Sequence, residues 1–183
     1  MPFTPTTIHT ERLTLRWFEA GDAAALFAIF ADPAVVRYWS SAQWEDVSLA
    51  QTMIEETIAA YNSGEGIRFA VVLAASGELI GQINLYHIFA SNRRCEVGYA
   101  FARSFWGKGY AMEAMQAALD YAFGPLDLNR IEADIDPRNE ASERVLTRLG
   151  FGKEGYMRER WIVNSEVCDT AYYGLLKSDW EAR

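Results

Sequence analysis

Two glycines one residue apart, in Trp106-Gly107-Lys108-Gly109-Tyr110-Ala111, separate an alternating segment that ends at Phe101 from an amphipathic one that begins near Tyr110. Glycine lets a chain turn tightly and lets backbone N–H groups approach a ligand closely. The first turn of a helix carries unpaired N–H groups and the positive end of the helix dipole. Together these make an anion site of the size of a pyrophosphate. The dipole contributes only ~0.3–2 kcal/mol, so several charge-assisted hydrogen bonds must carry the grip. A plain strand-to-helix turn that needs glycine explains the same residues equally well on local sequence. The stretch is not a Walker A loop: no glycine lies five residues upstream, and no Ser or Thr follows Lys108. It is not G-x-G-x-x-G either.

A second stretch, Asp136-Pro137-Arg138-Asn139-Glu140-Ala141-Ser142, precedes Leu149-Gly150-Phe151. Taken alone it reads as a helix with Asn139 as N-cap, Ser142 in its first turn and Gly150 as C-cap. Cys95 and Cys168 are the only cysteines, and His9 and His87 the only histidines. They are too few for a disulfide scaffold, a four-thiolate zinc site or a His-rich metal centre, so no metal is expected. No histidine stands beside either cysteine in sequence, which argues for inert strand thiols.

The elements that must position these residues follow from periodicity. Arg12 to Phe18 alternates as a half-buried strand, and Asp22 can cap the helix that carries Leu26, Phe27, Ile29 and Phe30, stopped at Asp32-Pro33. Tyr38 to Trp44 is an irregular aromatic loop. Ser48 and Gln51 make a capping-box pair for a helix with Met53, Ile54, Thr57, Ile58 and Tyr61 on its inner side, ended at Asn62-Ser63-Gly64. Strands at 67–73, 79–85 and 94–101 form a meander turned at Ser76-Gly77-Glu78, with Glu96, Gly98 and Ala100 facing opposite to Val97, Tyr99 and Phe101. A helix after Gly109 buries Met112, Met115, Leu119, Ala122 and Phe123 and ends at Gly124-Pro125. Ile131, Ala133 and Ile135 form a strand, a short helix carries Ser142, Val145, Leu146 and Leu149, and a hairpin near 157–163 and 167–176 turns at Asn164-Ser165-Glu166. The order β, α, α, βββ, α, β, α, ββ is an α/β mixed sheet with helices on its faces.

Half of the 183 residues are hydrophobic and 14% are aromatic, enough for a packed core in one domain and too much for disorder. The formal charge of −8 and a pI near 4.8 argue against a phosphate-tracking nucleic-acid binder and suit basic or amine-bearing partners. No apolar run reaches the ~18 residues of a membrane span. The opening Met-Pro-Phe-Thr-Pro-Thr-Thr lacks the basic and apolar regions of a secretory signal. A cytoplasmic chain with no membrane partner is expected.

Trp106 to Ala114, then Asp136 to Ser142, then Leu149-Gly150-Phe151, in this order and spacing, resemble the GNAT acetyltransferase superfamily and its RimJ/RimL-like branch. Thr10 to Arg16 resembles that branch's opening strand and Asp169 to Trp180 its closing strand. The resemblance spans about residues 8–180 of a single 1–183 domain. It implies a mixed, largely antiparallel sheet flanked by about four helices and splayed at the acetyl-CoA site. It implies acetyl-CoA as donor and a primary amine as acceptor, either a protein N-terminus of the ribosomal-protein type or a small molecule. The family's pyrophosphate motif falls on Trp106, Gly109 and Ala111, with Gly107, Lys108 and Tyr110 between them. Trp106 stands where the family has Gln or Arg, which leaves a side-chain phosphate contact open and keeps the backbone contacts, so the cofactor-binding stretch still runs from Trp106 to Ala111. By the same resemblance a strand N–H among Tyr99, Ala100 and Phe101 holds the thioester carbonyl, Asn139 binds the cofactor arm, and Ser142 meets the leaving sulfur. A homodimer is one assembly left open.

The base is set by the acceptor. An α-amine with pKa ~8 is short of its neutral form by ~1.4 kcal/mol at pH 7, and a lysine-like amine with pKa ~10.4 by ~4–5 kcal/mol. Glu96, in Glu-Val-Gly-Tyr, is the first candidate, with Glu132, Asp134 and His87 behind it. Tyr38, Trp39 and Trp161, with Trp44, are candidates to wall the acceptor site, and packing of large aromatics is the plainer reading. Two other classes remain: a non-catalytic acyl-CoA-binding module on the same scaffold, and an ATP-binding protein using the glycine turn.

Overall fold

The computed structural model of the protein describes residues 3–183, so Met1 and Pro2 of the opening stretch lie outside it. Eight strands form one sheet: β1 (Ile8–His9), β2 (Leu13–Trp17), β3 (Ile67–Leu73), β4 (Leu79–Phe89), β5 (Arg94–Phe101), β6 (Arg130–Ile135), β7 (Gly152–Val163) and β8 (Glu166–Leu176). Their order across the sheet is β1-β2-β3-β4-β5-β6-β8-β7. Every neighbouring pair is antiparallel except β5 and β6.

That one parallel pair decides the architecture. β5 pairs with β6 only from Arg94↔Arg130 to Glu96↔Glu132. β5 nevertheless stays paired to β4 as far as Phe101, and β6 stays paired to β8 as far as Ile135. The two strands therefore diverge after Glu96, and among the described residues the β6-facing edge of Val97–Phe101 has no strand partner. The expected splay is present and begins one residue past Glu96.

The helices are α1 (Ala23–Phe30), α2 (Pro33–Val36), α3 (Ser48–Ser63), α4 (Tyr110–Phe123), α5 (Glu140–Arg148) and α6 (Lys177–Glu181). Alternation along the strands splits the core in two. Leu15, Phe69, Val71, Leu85, Val97 and Ile131 pack under Met115, Ala118 and Leu119 of α4 and Leu146 of α5. On the other face Ala70 and Ala100 leave room for Leu26, Ile29 and Phe30 of α1, Val35 and Val36 of α2, and Ile54 of α3. Small strand residues are what let these helices lie close.

Several local expectations need correction. Asp22 stands at the start of α1, but its carboxylate is taken by Arg16 (2.7 and 2.8 Å) and by the Glu19 N–H, so it closes the preceding turn instead of capping α1. The Ser48–Gln51 capping box does not form; Val47 is the N-cap, so the helix starts one residue earlier than the Ser-x-x-Gln spacing suggests, and Asp46 accepts from the Ser48 N–H at 2.7 Å. Ile58 is exposed, and Ala50, Ile54, Thr57 and Tyr61 form the buried stripe of α3. The closing strand stops at Leu176, and α6 follows, with the Trp180 indole N–H donating to Asp120 of α4. Two short helices, α2 and α6, raise the number above the four expected. The hairpin turn is two residues, Asn164 and Ser165, both at positive φ, which suits the right-handed twist of the flanking strands.

Candidate active site

The turn between β5 and α4 has the conformation its glycines allow. Gly107 and Gly109 have φ of 72° and 81°. Gly109 is the N-cap of α4, and the first intrahelical bond runs from the Glu113 N–H to the Gly109 carbonyl at 3.1 Å. The N–H groups of Tyr110, Ala111 and Met112 therefore face outward, free of helical acceptors. A Cβ on Gly107 would meet nothing within 4 Å, so there is open space beside the turn. A Cβ on Gly109 would sit 3.4 Å from the Arg12 guanidinium.

Arg12 is the residue that sequence reasoning passed over here. It donates to the Lys108 carbonyl at 2.9 Å, pairs with Glu113 at 2.6 Å and lies over the Tyr110 ring at 4.6 Å. Burial pushes the Glu113 carboxyl up, but bonds from the Thr10 hydroxyl, the Arg12 N–H and the Arg12 guanidinium outweigh it and hold the group below the ordinary range. The acid in the first turn of α4 is thus neutralised by β2 and does not repel an anion at the helix end. Thr10, Arg12 and Glu113 all lie in segments singled out from sequence, but no periodicity links residues a hundred positions apart. Trp106 donates its indole N–H to the Phe101 carbonyl at 2.8 Å and is half exposed, which locks the turn to the end of β5. The Lys108 amine lies over the Phe105 ring at 5.2 Å.

A cavity of about 340 Å³ opens between the diverging strands. Tyr99 and Ser142 meet in it, hydroxyl to hydroxyl, at 2.7 Å. Burial raises the Tyr99 phenol to about 12, with the Ser142 contact opposing, so the phenol stays protonated at neutral pH. Asn139 lines the same cavity, and its side-chain oxygen accepts from the Ser142 N–H at 3.1 Å, as the N-cap of α5. The side-chain role of Tyr99 was not anticipated; only its backbone was.

The aromatic wall is Tyr38, Trp39, Tyr86 and Trp161. Trp44 is not part of it: it stacks on Phe30 at 4.5 Å, in the core under α1, where a large apolar ring buries more area than at a loop surface. Trp39 does both, touching Phe30 edge-on at 5.0 Å while lining the cavity.

Four carboxylates line the cavity and their surroundings differ. Asp136 is held by Arg138 at 2.5 Å, and its carboxyl lies low, since burial, which raises it, is overcome by the Arg138 guanidinium and backbone N–H. Glu166 is shared by Arg138 and Arg37. Asp169 accepts from the Tyr156 hydroxyl and the Glu159 N–H. Asp134 has no ion pair among the described residues, and the Trp161 side chain is its hydrogen-bonding neighbour. Burial and the neighbouring Glu96 charge push its carboxyl up, against its own backbone N–H, Arg160 and Trp161.

The first base candidate, Glu96, is not among the cavity-lining residues and contacts the exposed His87 ring at 3.0 Å, which takes His87 out of the cavity too. Glu132 is bound by Arg94 at 2.8 Å and Arg130 at 2.7 Å, behind the point of divergence. Cys95 is buried, and burial raises its thiol to about 12, an inert state. Cys168 lies at the cavity edge, 3.4 Å from Arg138. Among the described residues no group of His, Cys, Asp and Glu is placed to hold a metal ion, and no helix is long and apolar enough to cross a membrane.

A parallel pair that diverges beside a glycine-gated helix N-terminus, with a hydroxyl pair in the opening, is the layout of an acyl-transfer site. Comparison with known proteins gives the same class. Residues 12–152 match the family model described as the acetyltransferase (GNAT) domain. The chain is 38% identical over 174 residues to the uncharacterized N-acetyltransferase p20 of Bacillus licheniformis, covering 95% of this chain and 98% of that one. It is 31% identical over 121 residues to the [ribosomal protein uS5]-alanine N-acetyltransferase of Escherichia coli, covering 66% and 62%. Among solved structures, spermidine N-acetyltransferase from Vibrio cholerae, in complex with CoA and spermine, superposes with a TM-score of 0.84 at 26% identity, covering 94% of this chain and 99% of that one. The protein belongs to the GNAT acetyltransferase family, and it is an acetyltransferase.

Proposed function

We propose that the protein transfers acetyl from acetyl-CoA directly to a primary amine, with no acyl-enzyme. The observation that carries this reading is the divergence of β5 from β6 directly beside the Gly107–Gly109 turn. The residues fit the donor. Open space lies beside Gly107, three first-turn N–H groups face it, and Glu113 is already neutralised by Arg12. The backbone of Gly107 to Met112 grips the diphosphate. The unpaired edge of Val97–Phe101 supplies N–H groups to the carbonyl oxygen, which gains charge as the amine attacks. A donor of this kind is worth ~3–4 kcal/mol.

Acetyl-CoA supplies the activated thioester. Tyr99 and Ser142 act on the sulfur. A phenol near 12 facing a thiolate whose own pKa is ~8.5 donates a hydrogen bond and keeps its proton. It therefore stabilises the developing thiolate, while Ser142 relays a proton released from the attacking nitrogen. Asn139 fixes the first turn of α5 and so the position of Ser142. Tyr38, Trp39 and Trp161 border the acceptor's entry. Glu96 acts through its charge on the cavity, not as a group touching the amine.

The test is thermal stabilisation by acetyl-CoA, CoA and ATP, together with thiol release in the presence of amines. A ligand at 100 times its Kd adds ~2.7 kcal/mol. Stabilisation by both CoA species and thiol release with an amine are expected. Stabilisation by ATP alone, or CoA binding with no amine turned over, removes the reading.

A further inference from the structure

Among the cavity carboxylates Asp134 is the part-buried one with no ion pair, and it lines the cavity together with Tyr86, Trp39 and Trp161, the last of which hydrogen-bonds it. Resting on the transferase reading above, we propose that Asp134 binds the ammonium of the acceptor and takes its proton, and that the acceptor is a small primary monoamine with an apolar body.

Three observations carry this. First, Asp136 and Glu166 are already neutralised by Arg138 and Arg37, and both oxygens of Asp169 are occupied. Asp134 is thus the part-buried carboxylate open to one cation, and a polycation would find Asp136 and Glu166 already taken by arginines. Second, the wall of Tyr86, Trp39 and Trp161 favours a flat or aliphatic body and attracts an ammonium to its ring faces. Third, the rim is strapped shut. Arg37 follows α2, Asp136 and Arg138 precede α5, and Glu166 opens β8. Glu166 joins Arg37 (3.0 Å) to Arg138 (2.5 Å), and Arg138 reaches back to Asp136. A cavity of about 340 Å³ behind such a rim admits a small molecule more readily than a folded chain's terminus. The charged and titratable groups facing Asp134 are Glu96 from β5, Tyr86 from β4, Arg160 from β7 and Tyr172, its cross-strand neighbour, from β8. Burial and Glu96 raise its carboxyl, which makes it a better proton acceptor than an ordinary aspartate.

The step balances. The ammonium gives one proton to Asp134. The freed nitrogen pair forms the C–N bond, the C–S bond breaks with its electrons on sulfur, and the nitrogen's second proton reaches the sulfur. Asp134 then returns its proton to solvent.

The full chain is assayed by thiol release with 2-phenylethylamine, spermidine and an alanyl tetrapeptide, as the parent and as Asp134→Asn. The highest kcat/KM is expected for 2-phenylethylamine. Asp134→Asn is expected to lower it at least about a hundredfold, the lower end of the range of a lost general base, and to abolish the acid limb of its pH profile. The KM for acetyl-CoA and the thermal shift with acetyl-CoA should stay unchanged, which separates loss of the base from loss of fold. Preference for spermidine or the peptide overturns the acceptor class. Activity of Asp134→Asn within threefold of the parent, with its acid limb intact, overturns the role of Asp134 while leaving the transferase reading standing. Absence of thiol release with all three amines removes both.

Discussion

The glycine turn and the acceptor cavity adjoin the same pair of diverging strands but are assembled differently. The turn uses backbone: two residues at positive φ and the open first turn of α4, all within six consecutive positions. The cavity uses side chains from residue 33 to residue 170, brought together by α2, β4, β5, β6, α5 and the β7–β8 hairpin. Backbone amides are the same whatever the sequence, so the turn can serve one constant ligand across many chains. Side chains gathered from distant segments can change one at a time, so the cavity is where a particular acceptor is chosen.

The sharpest way to break this contrast is Gly109→Glu. The residue stands at φ 81°, where a side chain costs ~1–2 kcal/mol, and its Cβ would crowd Arg12 at 3.4 Å. The added carboxylate would also place negative charge at the diphosphate. Loss of the whole ~2.7 kcal/mol acetyl-CoA stabilisation is expected in a thermal-shift titration. Retained stabilisation would move the donor grip away from the turn.

The same contrast explains what could be read from sequence. Spacing alone placed α4, α5, the meander and the final hairpin, because each obeys a local period and a local boundary such as Gly109, Gly124 or Gly150. Resemblance placed Ser142 and Asn139. The Arg12–Glu113 pair, the Tyr99–Ser142 contact and the Arg37–Glu166–Arg138 strap were not legible, since each joins segments that only the sheet order brings together. The ranking of the base candidates turns on the same kind of long-range contact. Glu96 and Asp134 both alternate to the polar side of their strands, and only the divergence after Glu96 decides which one faces the opening. The aromatic loop split between the two outcomes, with Trp39 at the cavity and Trp44 in the core.

Next in size are the hydroxyls. Tyr99→Phe is expected to lower kcat about a hundredfold, the scale of a lost hydrogen bond to developing charge, and Ser142→Ala less, about tenfold, because water can take over its relay. The acetyl-CoA thermal shift should stay intact in both. Because the two oxygens are 2.7 Å apart, the double variant should lose less than the product of the two effects. Independent, multiplying losses would separate the two groups into unconnected roles and blur the boundary between the turn, which binds, and the opening, which reacts.

A smaller effect is expected from Glu96→Gln. Glu96 helps raise the Asp134 carboxyl by like-charge repulsion. Removing that charge lowers the Asp134 value, so the acid limb of the kcat/KM profile should move to lower pH, with plateau kcat reduced only about twofold. An unmoved limb would uncouple the two carboxylates. A collapse of plateau activity would return Glu96 to the amine itself.

The smallest effect is on stability, and its sign separates the cavity from the rest of the fold. The Asp134 carboxyl is raised in the folded chain, so the folded state holds a proton that the unfolded chain has already lost. Its favourable contribution is complete below the ordinary aspartate range and disappears as pH rises through the raised value. Above that raised value the ionised Asp134 destabilises the fold, the condition of a group kept for chemistry. Asp134→Asn should therefore raise Tm on the alkaline side of that raised value, where ~1 kcal/mol in a chain this size corresponds to ~2–4 °C, and the gain should vanish as pH falls below the ordinary range. Asp136→Asn should do the opposite, since Arg138 holds that carboxyl low and its stabilisation is lost as pH falls. Two aspartates two residues apart on one edge of the cavity would then respond to the same substitution with opposite signs. Equal signs would mean that Asp134 is also bound by a cation in solution and is not free to meet an amine.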